Sequence, residues 1–515
     1  MLKEILAGNA RRFPDKTAIV FEDVRYTFKE LNDRVNSLAN ALTDMGLQKG
    51  DWIAIIADNC NQIVETFWVG IKTGIVISII SPTLPERALS HLIGNGGVRG
   101  VVFGANYCNL IKSLRPLFKS VKEYIIIGDS EESFKSYEEL VSAYPPLELQ
   151  VEIGGDDLLY FPTTSGTTGL PKQIMHSYKS MWTTALIDLH SQDYDMREGG
   201  VGLFAAPLFW GYILPRFTIS CFYMGCPVVI PRDFTPPCLL QALEKNNVTN
   251  LVTGAPFLRE LIDYPDLNKY NHSSLRHALV WGYLPPWVWH RAIKLFGNIF
   301  VPTYGSSEIG AISYLSPKDV ASDTAEEITR KFSSCGKEAI GIEARVIDED
   351  GNDVQPGQIG EVVAKGDVMM KGYWNAPKAT EEIIRGGYVY TGDLATVDEE
   401  GYIYLKGRKK DAITTQGKVV MPSEIEEVIF RHPGVLEAVI IAIPDEKLGE
   451  AIKAVVIKGK EEVTEEELII LCEQNLPAYA VPKSVDFVPS LPKTPSGRIQ
   501  RYKVREKYVQ PGNEI

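Results

Sequence analysis

The chain has 515 residues, 45% hydrophobic and 23% charged, which is enough for two or more domains with sizeable cores. A formal net charge of −13, with no strongly basic segment, argues against nonspecific nucleic-acid binding and against an anionic membrane surface as partner. Seven cysteines without a Cys-x-x-Cys pair and seven histidines without zinc-type spacing point to reduced thiols and no structural metal.

The start, Met1-Leu2-Lys3-Glu4-Ile5-Leu6, lacks the uninterrupted apolar core of a signal peptide. Thr27-Phe28-Lys29-Glu30 reads as a capping box opening a helix with apolar Leu31, Val35, Leu38, Leu42 and Met45, ended by Gly46. Short apolar runs follow at Trp52 to Ala57, Ile75 to Ile80, Val101 to Phe103 and Tyr124 to Ile127, with helical patterns between them. Such runs predict buried parallel strands and a layered α/β fold. Phe217 to Ile230 is the most apolar stretch, but it is too short to span a bilayer and Pro231-Arg232 follows it. The expectation is a cytoplasmic protein with no integral membrane segment.

The alternation resumes at Val228 to Ile230, Val248 to Val252, Ala278 to Trp281 and Ile299 to Val301. After about Gly341 the texture changes to short strands, Glu343 to Ile347, Glu361 to Ala364 and Tyr402 to Leu405, joined by turns such as Asp350-Gly351-Asn352. This predicts an antiparallel, barrel-like subdomain. A basic connector, Gly407-Arg408-Lys409-Lys410-Asp411, precedes a compact α+β segment in which Ser423-Glu424-Ile425-Glu426 reads as a helix cap. The boundary is placed near Lys410: residues 1–409 form a large domain and 410–515 a small, mobile C-terminal one.

Directly after the strand-like Leu158-Leu159-Tyr160-Phe161 comes Thr164-Ser165-Gly166-Thr167-Thr168-Gly169-Leu170-Pro171-Lys172. Glycines let backbone N–H groups close on an anion, hydroxyls add donors, and the lysine adds a point charge. The run reads as a polyphosphate cradle; a plain solvent loop is the alternative. It is not the common P-loop, because Pro171 before the lysine and Gln173 after it disfavour a helix there.

Four further segments carry chemistry: Thr303-Tyr304-Gly305-Ser306-Ser307-Glu308, Tyr390-Thr391-Gly392-Asp393 (read as an acid in a tight turn), Gly401 to Arg408, and Pro492-Lys493-Thr494-Pro495-Ser496-Gly497-Arg498. Taken together and in this order, the five motifs resemble the adenylate-forming superfamily: acyl- and aryl-CoA synthetases, peptide-synthetase adenylation domains and firefly-type luciferases. The resemblance runs from about Thr27 to Arg498. Thr163 to Tyr178, closing on His176-Ser177-Tyr178, looks most like the medium-chain acyl-CoA and benzoate-CoA synthetases.

The resemblance implies an ATP-dependent enzyme. A carboxylate attacks the α-phosphate of ATP and expels pyrophosphate, and coenzyme A then takes the acyl group and releases AMP. Joining an anion to a polyanion calls for positioned cations and N–H donors. By the resemblance, Thr164, Ser165, Gly166, Thr167, Thr168, Gly169 and Lys172 hold the β- and γ-phosphates. Glu308, with Thr164, binds Mg²⁺, a hard cation suited to oxygen ligands. Tyr304 packs on adenine within Thr303 to Ser306, Ser307 touches the α-phosphate, and Asp393 and Arg408 take the ribose. Lys410 is the hinge on which the small domain swings between half-reactions. Gly417 and Lys418 line the access tunnel of coenzyme A, and Trp210, Trp281, Gly282 and Gly305 wall the acyl pocket.

The chain departs from the family pattern in several places. Arg498 replaces the lysine that reaches the α-phosphate and substrate carboxylate, which keeps the charge but changes the geometry. Thr414 stands where many relatives carry a second lysine. Trp281 occupies a usual glycine, which narrows the pocket, whereas Gly305 replaces the tryptophan of acetate-specific relatives, which opens it. Short-to-medium acyl or small aromatic acids reconcile the two. The partners expected are this acid, ATP and coenzyme A, and a homodimer is compatible with the reading. Two alternatives stay open: transfer of the acyl group to a carrier-protein thiol, and a non-catalytic nucleotide- or acyl-binding homologue.

Overall fold

The computed structural model describes residues 2–94, 97–129, 131–164, 170–191, 199–210, 212–321, 324–445, 447–459, 461–493 and 499–509, with the side chain of Ile213 left aside. Contacts divide the chain into two compact units. The first holds residues 1–164, 170–344 and 364–389; the second holds 165–169, 345–363 and 390–515.

In the first unit, helix Phe28–Asp44 opens as its sequence predicts. Thr27 accepts from the backbone of Glu30, and the Glu30 side chain reaches back to the Thr27 N–H. The strand Trp52–Ile56 is buried along its whole length. Its alternate residues serve two cores: Ile53 and Ile55 join one apolar cluster, and Trp52, Ala54 and Ile56 join another. A strand lined on both faces must be covered on both, which is why its sequence reads as a continuous apolar run.

That strand lies inside an eight-stranded sheet that starts Gly372–Tyr373, Ile174–Ser177, Leu158–Tyr160, Val76–Ile79, Trp52–Ile56. A second, nine-stranded sheet carries Gly310–Tyr314, Phe300–Ser306, His277–Trp281, Asn250–Gly254 and Gly202–Ala205 as neighbours. One core cluster unites Ile53 and Ile77 of the first sheet with Phe204, Leu279 and Val301 of the second, through Phe67 and Trp68 of helix Asn61–Thr73. Helices therefore form a buried middle layer between two sheets. The apolar stretch from Phe217 resolves into the end of helix Ile213–Tyr223 and the strand Val228–Ile230. No helix among the described residues is long and apolar enough to cross a membrane.

In the second unit, residues 393–397 of the strand Tyr388–Val397 form an antiparallel ladder with Ile403–Arg408, pairing Asp393 with Arg408. Asp393 is therefore a strand residue, not the turn residue its sequence suggested. Further on, the strand Val435–Asp445 again feeds two cores, with Ala438, Ile440 and Ala442 on one face and Val439 and Ile441 on the other. The expected cap at Ser423 is absent: Pro422 starts the helix after Met421, and the Ser423 hydroxyl donates to the carbonyl of Lys406. Proline at the first helical position has already fixed the entry angle, so the serine is left for another partner.

Candidate active site

The neck of the Ser/Thr/Gly loop is closed by its own ends. Thr164 N–H donates to the Lys172 carbonyl at 2.9 Å, and Lys172 N–H donates to Thr164 Oγ1 at 2.9 Å. Thr163 and Gln173 form a bridge just outside this pair, and the strand Ile174–Ser177 follows. Residues 163–164 and 172–173 thus form an antiparallel stem. Ser165, Gly166, Thr167, Thr168 and Gly169 lie outside the described residues, as does Arg498.

The segment from Thr303 to Glu308 occupies the end of the strand Phe300–Ser306 and the turn after it. Thr303 Oγ1 donates to Ser313 O at 3.2 Å, and Tyr304 is 9% exposed. A Cβ on Gly305 would run into the Gly310 carbonyl and lie 2.8 Å from Ala311 Cα. The close pairing of this hairpin is sufficient reason for glycine at 305. Ser306 Oγ accepts from Glu308 N–H at 3.3 Å.

Two contacts tie this segment to the loop stem. His176 Nε2 lies 2.7 Å from Ser307 O, and its Nδ1 lies 3.2 Å from Ser180 Oγ. Because a carbonyl can only accept, Nε2 carries the proton. Burial pushes the imidazole pKa down to about 4, so it is neutral at pH 7. Glu308 is held twice by the segment Met370 to Tyr373: Met370 N–H donates to its carbonyl at 2.8 Å, and Tyr373 OH donates to its Oε1 at 2.8 Å. Lys172 Nζ lies 5.3 Å from the centroid of that same tyrosine ring.

Sequence reasoning missed both contacts. His176 figured only as the close of a motif, and Tyr373, in Gly372-Tyr373-Trp374, carried no signal beyond its aromatic character. Beside Lys172 is a cavity of about 290 Å³ lined also by His91, Gln173 and Trp374, and by none of the acyl-wall residues.

The residues expected to wall the acyl pocket, Trp210, Trp281, Gly282 and Gly305, also lie in the first unit. Trp281 ends its strand in register with Gly254 on one side and Thr303 on the other. Its ring stacks with Phe204 at 6.4 Å and meets Trp210 edge-on at 6.4 Å, while Trp210 stacks on Phe257 at 5.4 Å. Gly282 follows with φ of 97°, a left-handed value that suits glycine.

In the second unit, Asp393 Oδ1 pairs with Arg408 Nε at 2.8 Å, and Arg408 Nη1 donates to Thr391 O at 2.6 Å. Lys409 Nζ pairs with Glu361 at 3.2 Å. Lys410 sits in the short 3₁₀ turn Lys409–Asp411. Arg501 reaches that turn from the C-terminal helix, donating to Asp411 Oδ2 at 3.1 Å and to Ile440 O at 2.8 Å. Gly417 and Lys418 belong to a hairpin whose central residues, Gln416 and Gly417, have φ of 50° and 71°. Two successive positive φ values define a type I′ turn, so Gly417 has a backbone reason.

The comparisons agree with this architecture. Residues 6–374 match the family described as AMP-binding enzyme, and residues 424–498 match the AMP-binding enzyme C-terminal domain. A long-chain-fatty-acid–CoA ligase of Escherichia coli O6:H1 is 30% identical, over 98% of this chain and 94% of that protein. A feruloyl-CoA synthase of Amycolatopsis sp. is 30% identical over 97% of each chain. Among solved structures, ATP-bound MatB from Rhodopseudomonas palustris superposes with a TM-score of 0.88 at 25% identity, covering 99% of both chains. The chain belongs to the AMP-binding enzymes, the adenylate-forming superfamily. Within that superfamily it falls in the branch of acyl- and aryl-CoA ligases.

Proposed function

We propose that the protein is an AMP-forming acid–thiol ligase that converts a small aromatic or short-to-medium-chain carboxylic acid to its coenzyme A thioester. The observation that carries this reading is the arrangement of Lys172 and Glu308 about Tyr373, a cation and a carboxylate held apart on one scaffold. The donor set fits Mg·ATP: a carboxylate suits Mg²⁺ that keeps phosphate and water oxygens as its other ligands, and an ammonium suits the β- and γ-phosphates.

In the first half-reaction the substrate carboxylate attacks the α-phosphate and pyrophosphate leaves. Lys172 and the hydroxyls of Thr164 to Thr168 counter the charge on the leaving phosphates, Ser307 serves the α-phosphate, and Glu308 would hold Mg²⁺, which would supply further positive charge against the phosphates. Tyr304 packs on adenine, and Asp393, acceptor-only when ionised, takes the ribose hydroxyls beside Arg408. Arg498 takes the role of the usual lysine toward the α-phosphate. Rotation about Lys410 then brings Gly417 and Lys418 to coenzyme A, whose thiolate attacks the mixed anhydride and releases AMP. A boundary at Lys410, separating residues 1–409 from 410–515, suits this rotation.

For the acid, the ring cluster of Trp210, Trp281, Phe204 and Phe257 favours a planar aromatic group, which stacks without needing the pocket to lengthen. ATP–pyrophosphate exchange across a panel of benzoic, phenylpropanoic and C4–C16 aliphatic acids tests this. Exchange strongest with the aromatic and C4–C10 acids is expected. Exchange confined to C16 overturns the substrate assignment, and no exchange with any acid indicates a binding protein. Competition between coenzyme A and a phosphopantetheinyl carrier protein decides the acceptor.

A further inference from the structure

One side chain outside the assigned set touches both members of the phosphate-and-metal pair. Tyr373 is 7% exposed and fixed by its backbone: it pairs with Ile174 of the loop stem, and its N–H donates to Thr380 Oγ1 at 2.9 Å. Its hydroxyl donates to Glu308 Oε1 at 2.8 Å, while Lys172 Nζ stands 5.3 Å from its ring centroid. Glu308 Oε2 makes no hydrogen bond among the described residues, and no ion pair joins Lys172 to Glu308 there.

The chemistry of the three groups makes this meaningful. A lysine and a glutamate on adjacent segments would ordinarily pair with each other, and a closed pair would have to break before either could serve a ligand. The tyrosine gives each a weaker partner. The ring face attracts the ammonium less strongly than a carboxylate or phosphate would, and the phenol engages only one carboxylate oxygen. The other oxygen keeps its lone pairs for a hard cation.

We propose that Tyr373 is a positioning residue for the adenylation half-reaction. It keeps Lys172 and Glu308 apart and aimed, so that phosphate displaces the ring and Mg²⁺ takes the second carboxylate oxygen. The proposal rests on the reading of Lys172 as phosphate ligand and Glu308 as Mg²⁺ ligand.

The test is calorimetric titration of ATP, without acid, into the full-length chain in EDTA and at a series of Mg²⁺ concentrations. Tyr373→Phe keeps the ring and removes the hydroxyl. It should raise the Mg²⁺ concentration for half-maximal enhancement of ATP binding by about tenfold, since a hydrogen bond to a charged group is lost. Its affinity for ATP in EDTA should equal that of the unaltered chain. Tyr373→Leu should weaken ATP binding in EDTA by about threefold, because without the ring Lys172 closes on Glu308 and that pair must break before phosphate is bound. In a Glu308→Gln background, Tyr373→Phe should no longer change the Mg²⁺ dependence. An unchanged Mg²⁺ dependence in Tyr373→Phe overturns the proposal, as does equal weakening with and without Mg²⁺, which is what general loosening gives. If Glu308→Gln alone leaves the Mg²⁺ dependence intact, the assignment of Glu308 itself has failed, which is a separate result.

Discussion

The imidazole of His176 donates from Nε2 to the carbonyl of Ser307 at 2.7 Å, joining the strand Ile174–Ser177 to the segment that carries Glu308. The ring is fully buried, with a pKa of about 4 against an ordinary 6.5. Below pH 6.5 the unfolded chain takes a proton that the folded chain refuses, so this group's contribution to stability falls between pH 6.5 and 4. Over that window the loss is on the order of 3 kcal/mol, and above it the contribution is flat. Denaturant titrations at pH 7.5 and 5 should show the decline, and His176→Gln should flatten it. At pH 7.5, His176→Phe should cost about 1 kcal/mol by leaving a partly buried carbonyl without its donor.

Gly305 separates two explanations of one residue. If its role is to open the acyl pocket, Gly305→Ala should alter the preference among acids and little else. The clash of a Cβ with the Gly310 carbonyl predicts otherwise. Gly305→Ala should destabilise the protein by about 2 kcal/mol or more, the scale of overpacking, and lower kcat/KM for every acid alike. Melting curves and a three-acid activity panel check this. A stable variant with shifted preference would restore the pocket explanation.

Trp281 is half-buried and packs against Phe204 and Trp210. Trp281→Ala should shift the ratio of kcat/KM for a C12 over a C6 acid upward by roughly tenfold, the scale of one or two methylenes in a pocket. It should also cost about 2 kcal/mol of stability, less than a fully buried tryptophan would. An unchanged ratio with the same stability loss would assign Trp281 to the core.

Asp393 faces Arg408 across a ladder, 2.8 Å apart. Asp393→Asn keeps the shape and removes the charge. It should raise the KM for ATP by roughly tenfold through loss of a charge-assisted hydrogen bond, with the KM for the acid unchanged. Steady-state kinetics with each substrate varied in turn decides; a matched rise in both constants would point to a structural role.

The elements that the sequence made legible share a local code. The helix cap at Thr27 depends on residues three apart, and the buried strands on short continuous runs, and both stand in the structure as read. Asp393 and Ser423 were misread by the same local logic. Acid after glycine suggested a turn, yet ladder pairing with Arg408 keeps Asp393 in a strand. Ser-x-x-Glu suggested a cap, yet Pro422 had already begun the helix.

What the sequence determined by itself is therefore the alternation of strands and helices and the order of motifs that marks the superfamily. These follow from backbone periodicity and from residues close in the chain. Only the tertiary structure decided that Tyr373 meets both Lys172 and Glu308, 65 residues from the latter, and that His176 holds Ser307. Such meetings depend on which strands pair and in what register. Register places side chains from distant segments together, and no spacing within one segment encodes it.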